Sequence, residues 1–421
     1  MEFVQGPITT LHDFGAADPS GPAARATVVV PMVGREARTA AARRLFAGLE
    51  RVDPLEVVVP LRAEPGRAAG VAAWLEGFDV PVRVLYCAGD RLEALLARHG
   101  LDGPQGKGSD VWLALGVARG DQVVLHDADA RTYEPGDTRK LLAPLTGEVA
   151  GAARDVAAKG DASPPADGDA GTRRDAGPRD DTTPPADAPA ADPFAFVKGY
   201  YARVEAGRLY GRLTRLFFDP LVDALAARHD DSLLEYLGAF RYGLAGECAL
   251  STPLARSLPV ERRFGFEVGT LVGAHAAAGP DATAQVDLGR YEHDHRAVEG
   301  PGGLSAVSEE VAGALFTGLA ARDVPVDYPA LREAYRGAAR KRVRADAADA
   351  AFNGLAHDAA AALAQVETYA DAVAPPGPDD RLPAWDDASL DPAAVERAAA
   401  ADLDVARDDP GALATDGDGP P

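Results

Sequence analysis

The sequence predicts an α/β protein built on a central, mostly parallel sheet, and three observations carry that prediction. Over residues 27–126, apolar β-branched runs alternate with longer Ala/Leu/Arg segments whose apolar residues recur every three to four positions. The chain has 421 residues and 47% hydrophobic content, enough to bury a large core in one big domain or two smaller ones. From about 303 to 372 the pattern becomes Ala-rich helix alone, which predicts a helical C-terminal extension.

Taken in order, TVVVPM, LEVVVPL, VRVLYC and QVVLHD read as strands. The segments between them, REARTAAARRLFAGLE, GRAAGVAAWLEG, DRLEALLARHG and SDVWLALGVARG, read as helices. Such alternation implies right-handed crossovers, helices on both faces, and strand ends gathered along one edge. Pro31, Pro60, Cys87 and Asp127 are each expected to close a strand near that edge. Residues 1–26 form an N-terminal extension, and the first α/β half spans 27–150. Residues 151–193 hold almost no large apolar side chains and are expected to be a disordered acidic insertion rich in Pro, Ala and Asp. Pattern resumes at FAFVKGYYARVEAGRLYGRLTRLFF and runs to 302, and the helical region follows over 303–372. Residues 373–421, rich in Pro, Asp and Gly, are expected to be a disordered acidic tail.

The formal charge of −22, with lysine only at 107, 140, 159, 198 and 341, excludes general binding to nucleic acid or anionic membranes, since such a surface repels phosphate backbones. This Asp-rich, Lys-poor balance fits a cytosol of very high salt, where screening makes a charged surface tolerable. Cys87 and Cys248 give no disulfide framework and read as reduced packing residues. The start MEFVQGPITTLHDFG has no basic region followed by an apolar one, and no apolar run reaches the roughly 18 residues of a membrane span. A cytoplasmic protein with no membrane partner is expected.

Four places could do chemistry. The run Val123-Val124-Leu125 stops on Asp127-Ala128-Asp129, at the strand edge where open α/β sheets bind ligands. Two carboxylates there could hold a hard divalent cation and, through it, a diphosphate; equally, they could cap the next helix. Lys107, between Gly106 and Gly108 ahead of a helix, suits a phosphate, although the loop is no Walker sequence: five residues separate Gly100 from Gly106, and Gly108 stands where Ser or Thr should follow the lysine. In GRYEHDHR, Tyr291, His293 and His295 alternate, so extended chain would point them one way, as shared metal ligands or as a polar surface strand. Glu267 in RFGFEVG sits among apolar residues, open to a catalytic or a structural reading, as does Glu247 in AGECA.

Together these pieces resemble the glucosyl-3-phosphoglycerate synthases, retaining glycosyltransferases of the GT-A, Rossmann-like nucleotide-sugar fold. The carrying stretches are VVVP, GKGSDVW, VVLHDAD, FVKGYY, GRLTRLFFDPLV, YGLAGE, FGFEVGTLV and AQVDLGRYEH, in the family's order over roughly residues 27–296. The resemblance implies a nucleotide-sugar-binding half over 27–150 and an acceptor-binding half over 194–302. It implies that Asp127, Asp129 and His293 hold Mg²⁺ or Mn²⁺, that Pro31, Glu36, Lys107, Asp127 and Asp129 bind the donor, and that Glu267 lies at the reacting centre. The acceptor phosphate falls to Gly211, Arg212 and Thr214. Implied partners are a nucleotide diphosphate sugar and a small phosphorylated acid, and a homodimer is one open option. The implied reaction moves a hexose, glucose favoured, to 3-phosphoglycerate or a similar acid, giving the precursor of an anionic compatible solute. Alternatives are a mannosyl or other hexosyl transferase with a different acceptor, and a non-catalytic nucleotide-sugar-binding protein. The sequence departs from the family at Arg35, where an acid is expected, in VVVPLRAEPGR, which lacks an Asp/Ser/Gly-rich turn, and at Tyr291, where an acceptor-contacting arginine is expected beside Arg290 and Arg296.

Overall fold

The computed structural model describes residues 7–12, 23–146, 194–293 and 303–408, so the insertion expected at 151–193 and the tail after 408 lie outside the described residues. The N-terminal half contains β1 (Thr9–Leu11), β2 (Ala26–Val29), β3 (Met32–Val33), α1 (Ala40–Val52), β4 (Glu56–Arg62), α2 (Pro65–Leu75), β5 (Val82–Tyr86), α3 (Asp90–Arg98), α4 (Lys107–Val117), β6 (Gln122–Leu125) and α5 (Pro135–Leu142). The second half begins with β7 (Phe196–Ala202), a hairpin of β8 (Val204–Glu205) and β9 (Arg208–Leu209), and a π-helical turn (Thr214–Phe218). It continues with α6 (Asp219–Ala226), α7 (Ser232–Gly238), β10 (Cys248–Ser251), α8 (Thr252–Ser257), α9 (Phe266–Ala277) and β11 (Thr283–Arg290). Helices α10 (Leu304–Ala320), α11 (Tyr328–Phe352), α12 (Ala359–Ala370) and α13 (Pro392–Asp408) complete the described chain.

Nine strands form one sheet in the order β1-β11-β7-β10-β6-β2-β4-β3, with β5 also paired to β4. Every pairing in it is parallel except those of β10, which runs antiparallel to both β6 and β7. The alternation of side chains along a strand explains why these strands are apolar throughout. Val123 and Leu125 face a core with Val58 and Trp112, whereas Val124 faces the opposite core with Val57, Val59 and Phe46. Helix α1 covers that second face because Leu45, Phe46 and Leu49 fall on one side of it and are fully buried, each burial stabilising by roughly 1.5–3 kcal/mol. Thr39 starts the helix by accepting the Ala42 amide at 3.2 Å, and Asp53 ends it in the left-handed region at φ 55°.

Two expectations need correction. Pro60 does not close its strand, since β4 runs on to Arg62. Along β4, Val58 accepts from Val30 of the β2 side and Leu61 accepts from Cys87 of the β5 side, so Pro60 turns its donor-less nitrogen toward the break between β2, which ends at Val29, and β3, which pairs with Leu61 and Arg62. The acidic tail is not wholly loose either. Residues 373–408 run back across the first half, with Leu382, Trp385, Val395, Ala399 and Leu403 buried. Trp385 packs on Trp112 with ring centroids 4.3 Å apart, and the Trp112 indole N–H donates to the Pro383 carbonyl at 2.8 Å. Asp402 accepts from the amides of Arg91 and Leu92 at 3.0 Å, capping α3. The Pro/Asp composition hid an apolar stripe at three-to-four spacing. No described helix is long and apolar enough to cross a membrane.

Candidate functional site

The site lies along the edge where the parallel strands end. β6 ends at Leu125, and the chain turns there to present Asp127 and Asp129. His293 arrives from the far side of the sheet: β11 ends at Arg290, and a short bridge pairs His293 with Ala130. The Arg131 amide donates to the Glu292 carbonyl at 2.7 Å and the His293 amide to Glu205 at 3.2 Å, which fixes this crossing. One ligand atom from each of Asp127, Asp129 and His293 lies within 4.8 Å of the others, close enough to share one ion. Two carboxylates and an imidazole suit Mg²⁺ or Mn²⁺, the nitrogen favouring the softer Mn²⁺.

Lys107 is the first residue of α4, and its ammonium reaches Asp127 Oδ1 and Glu267 Oε1, both at 2.7 Å. Glu267 comes from the first turn of α9, so two helix N-termini and a strand end meet at one lysine. Burial works against the Lys107 ammonium, but the two carboxylates outweigh it and hold its pKa above the ordinary lysine range. Gly108 is required by contact: a Cβ there would overlap the Glu261 carbonyl, while the Ser109 amide donates to the Arg262 carbonyl at 2.9 Å. The glycine-lysine-glycine loop is thus docked on the segment that leads into α9.

Behind this row lies a second, fully buried one. Glu247 is buried completely, and burial, reinforced by Asp127, pushes its carboxyl up to about 8. Burial also pushes His126 down to about 3, so its imidazole is neutral, with Nε2 2.9 Å from the Thr138 hydroxyl. Lys198, buried in the middle of β7, donates to the Ala245 carbonyl at 2.5 Å and so holds the loop before β10 against the sheet. Sequence reasoning passed over Lys198, although one of only five lysines in the chain standing in mid-strand in FVKGYY was the available signal.

The turn to which the resemblance assigns the acceptor phosphate follows the β8–β9 hairpin. Gly211 has φ 75°, and a Cβ on it would press on the Tyr242 hydroxyl, so glycine alone fits. Thr214 is buried at the start of the π-helical turn, a widened turn that recurs at functional sites. Arg212 is half-buried, and among the described residues no carboxylate pairs with it. Pro31 follows β2 at the same strand edge, and Glu36 is buried with Oε2 accepting the Val33 amide at 2.9 Å, a bond that stabilises its own loop. Tyr291 is fully buried and stacks on Tyr201 at 4.6 Å, so it is a packing residue rather than a replacement for an arginine. Arg290 is exposed and donates to the Val204 carbonyl at 2.9 Å, while His295 and Arg296 lie outside the described residues.

No protein-family model matches the chain. It is 29% identical over 316 residues to the glucosyl-3-phosphoglycerate synthase of Methanococcoides burtonii, covering 70% of this chain and 68% of that protein. The enzyme of the same name from Persephonella marina is also 29% identical, over 70% of this chain and 66% of its own length. Among solved structures, the mannosyl-3-phosphoglycerate synthase of Rubrobacter xylanophilus superposes with a TM-score of 0.51 and 25% identity, over 76% of this chain and 83% of that one. The glucosyl-3-phosphoglycerate synthase of Mycobacterium tuberculosis, in complex with Mn²⁺, uridine diphosphate and phosphoglyceric acid, gives a TM-score of 0.50 at 24% identity, over 76% of this chain and 88% of that one. A mostly parallel sheet with charged side chains gathered at its strand-end edge, in this company, is that of a GT-A glycosyltransferase. Within that class the chain is a homologue of the glucosyl-3-phosphoglycerate synthases.

Proposed function

We propose that this chain transfers a hexose, glucose favoured, from a nucleoside diphosphate sugar to 3-phosphoglycerate or a similar small phosphorylated acid, with retention at the sugar carbon. The observation that carries the reading is the convergence of Asp127, Asp129 and His293 beside the Lys107–Glu267 pair, with relatives that bear this activity in their names. Asp127, Asp129 and His293 would hold Mg²⁺ or Mn²⁺, which when bound stabilises charge on the departing diphosphate. Lys107 neutralises the same leaving group and keeps Asp127 and Glu267 oriented. Glu267 accepts hydrogen bonds from the sugar, and Arg212 with Thr214 grips the acceptor phosphate. Retention places acceptor and leaving group on one face, so no base is needed to activate water. The product carries both phosphate and carboxylate, and such an anionic solute precursor suits a chain whose acidic surface fits a high-salt cytosol.

A mannosyl donor is the second reading, favoured by the structural likeness to a mannosyl-3-phosphoglycerate synthase. Incubating the protein with 3-phosphoglycerate and either UDP-glucose or GDP-mannose, with Mn²⁺ or with chelator, tests both. Formation of a hexosyl-phosphoglycerate by mass spectrometry, abolished by chelator, is expected. Absence of product with every donor, or undiminished product under chelation, would sink the proposal.

A further inference from the structure

The turn carrying Gly211, Arg212 and Thr214 is held chiefly by a neighbour and by the C-terminal helices. Arg215 donates through Nε to the Tyr210 carbonyl at 2.8 Å and through Nη2 to the Leu209 carbonyl at 3.3 Å, and its Nη1 pairs with Asp346 of α11. The pair is buried, with the Arg215 side chain 12% and the Asp346 side chain 8% exposed. Asp346 spends its other oxygen on Arg342 Nε at 3.2 Å. Tyr335 of α11 donates its hydroxyl to the Leu216 carbonyl at 2.8 Å, and Tyr369 of α12 packs its ring 5.4 Å from that of Phe217. The backbone is therefore tied down on both sides of Arg212, at residues 209–210 before it and 216 after it.

A buried ion pair adds little net stability over an apolar pair of the same volume, but it does fix a geometry. Arg212 lies within three residues of all these bonded carbonyls or of Arg215 itself, apart from Leu216 four residues on, and makes no ion pair of its own among the described residues. We infer that Asp346, acting through Arg215, is a positioning residue for the acceptor: α11 and α12 form a platform that aims Arg212 at the acceptor's phosphate. This rests on the reading of Arg212 as the phosphate-binding residue. It gives the helical C-terminal region a part in the reaction, since Asp346 belongs to a helix with no side chain among those assigned to donor, metal or acceptor.

The test uses the full chain with Mn²⁺, varying 3-phosphoglycerate and UDP-glucose separately. Asp346→Asn raises the KM for 3-phosphoglycerate on the order of tenfold to a hundredfold, because small misplacements of a binding group carry losses of that size, and leaves the donor KM unchanged. Asp346→Glu restores part of the loss. In an Arg212→Ala background, Asp346→Asn raises the acceptor KM no further, since the two residues act as one unit. Should Asp346→Asn fail to fold, the double variant Arg215→Met with Asp346→Leu removes both buried charges together and carries the same expectation. An unchanged acceptor KM in a folded variant, an equal rise in both KM values, or losses that add to those of Arg212→Ala overturn the inference. An unchanged acceptor KM in Arg212→Ala alone overturns the acceptor reading as well, so the two failures are told apart.

Discussion

Lys107 and Arg212 are the two cationic side chains of the proposed reaction, and the chain supports them in opposite ways. Lys107 is locked between Asp127 and Glu267, each of which also has a proposed task of its own. Among the described residues no acid pairs with Arg212, and the neighbouring Arg215 makes the bonds that fix the turn. On the donor side, then, one set of charges both binds and orients, and no member can be removed without disturbing the others. On the acceptor side the binding residue and the orienting residue are separate, so affinity can change while the frame stays in place. Burial accounts for the first arrangement: the Lys107 side chain is only 15% exposed, where an unpaired ammonium would be costly.

The largest effect should come from Asp127, which serves both the lysine and the ion-holding triad. Asp127→Asn is expected to lower transfer about a thousandfold or more, and Asp129→Asn, which leaves the Lys107–Asp127 pair in place, somewhat less, as several kcal/mol of charge stabilisation are lost. Mn²⁺ binding followed by calorimetry should weaken in both. Full activity of Asp129→Asn, or of the wild type under chelation, would remove the triad from the mechanism.

A crossed experiment sharpens the comparison itself. Lys107→Ala should raise the KM for UDP-glucose, and Arg212→Ala the KM for 3-phosphoglycerate, each by about ten- to a hundredfold, as expected for one charge-assisted hydrogen-bonding group. Each variant should leave the other substrate's KM alone. Both substrates weakening together in Arg212→Ala would show that the two sides are not independent.

The smallest effect concerns the floor beneath Lys107. Burial raises the Glu261 carboxyl from 4.5 to about 7, with Arg381 opposing. The folded protein therefore holds a proton that the unfolded chain has lost, so this contribution is full below pH 4.5 and fades as the pH rises to about 7. Urea unfolding between pH 4 and 8 should show wild type losing stability over that window relative to Glu261→Gln. Parallel profiles for the two proteins would mean that Glu261 titrates alike in the folded and the unfolded chain.

The donor side was largely legible in the sequence because its signals are local. Apolar runs of four to seven residues ended where strands end, and the Asp127-Ala128-Asp129 and Gly106-Lys107-Gly108 stretches stood beside them. His293 was visible only as half of an alternating pair; its partnership with Asp127 needed β11 to be laid across the sheet. Arg215 and Asp346 were out of reach, since 131 positions separate them and neither lies in an unusual stretch. The tail misled for a different cause: residues spaced to bury one stripe of α13 were diluted by Asp and Pro, so composition spoke louder than period. Pro60 misled because a proline is acceptable inside a strand where the neighbouring track is interrupted opposite it, here between β2 and β3.

The one reversed strand, β10, lies directly beside β7, so the chain leaves the sheet at Ala202 and re-enters at Cys248 on the adjacent track. Everything between is an excursion that begins and ends at neighbouring points: the hairpin, the Arg212 turn, α6 and α7. A stretch with such closely spaced anchor points can be lengthened, shortened or exchanged without shifting the register of any other strand. The part proposed to recognise the acceptor is thus close to a cassette, and exchanging it while keeping Glu205, which accepts the His293 amide, is expected to change the acceptor and spare the proposed metal ligand. The cassette is not fully self-contained, however, for its bonds to Tyr335 and Asp346 mean that α11 must be inherited with it. Change in acceptor preference across such enzymes should therefore be recorded in two distant places at once, the excursion and the helix that braces it.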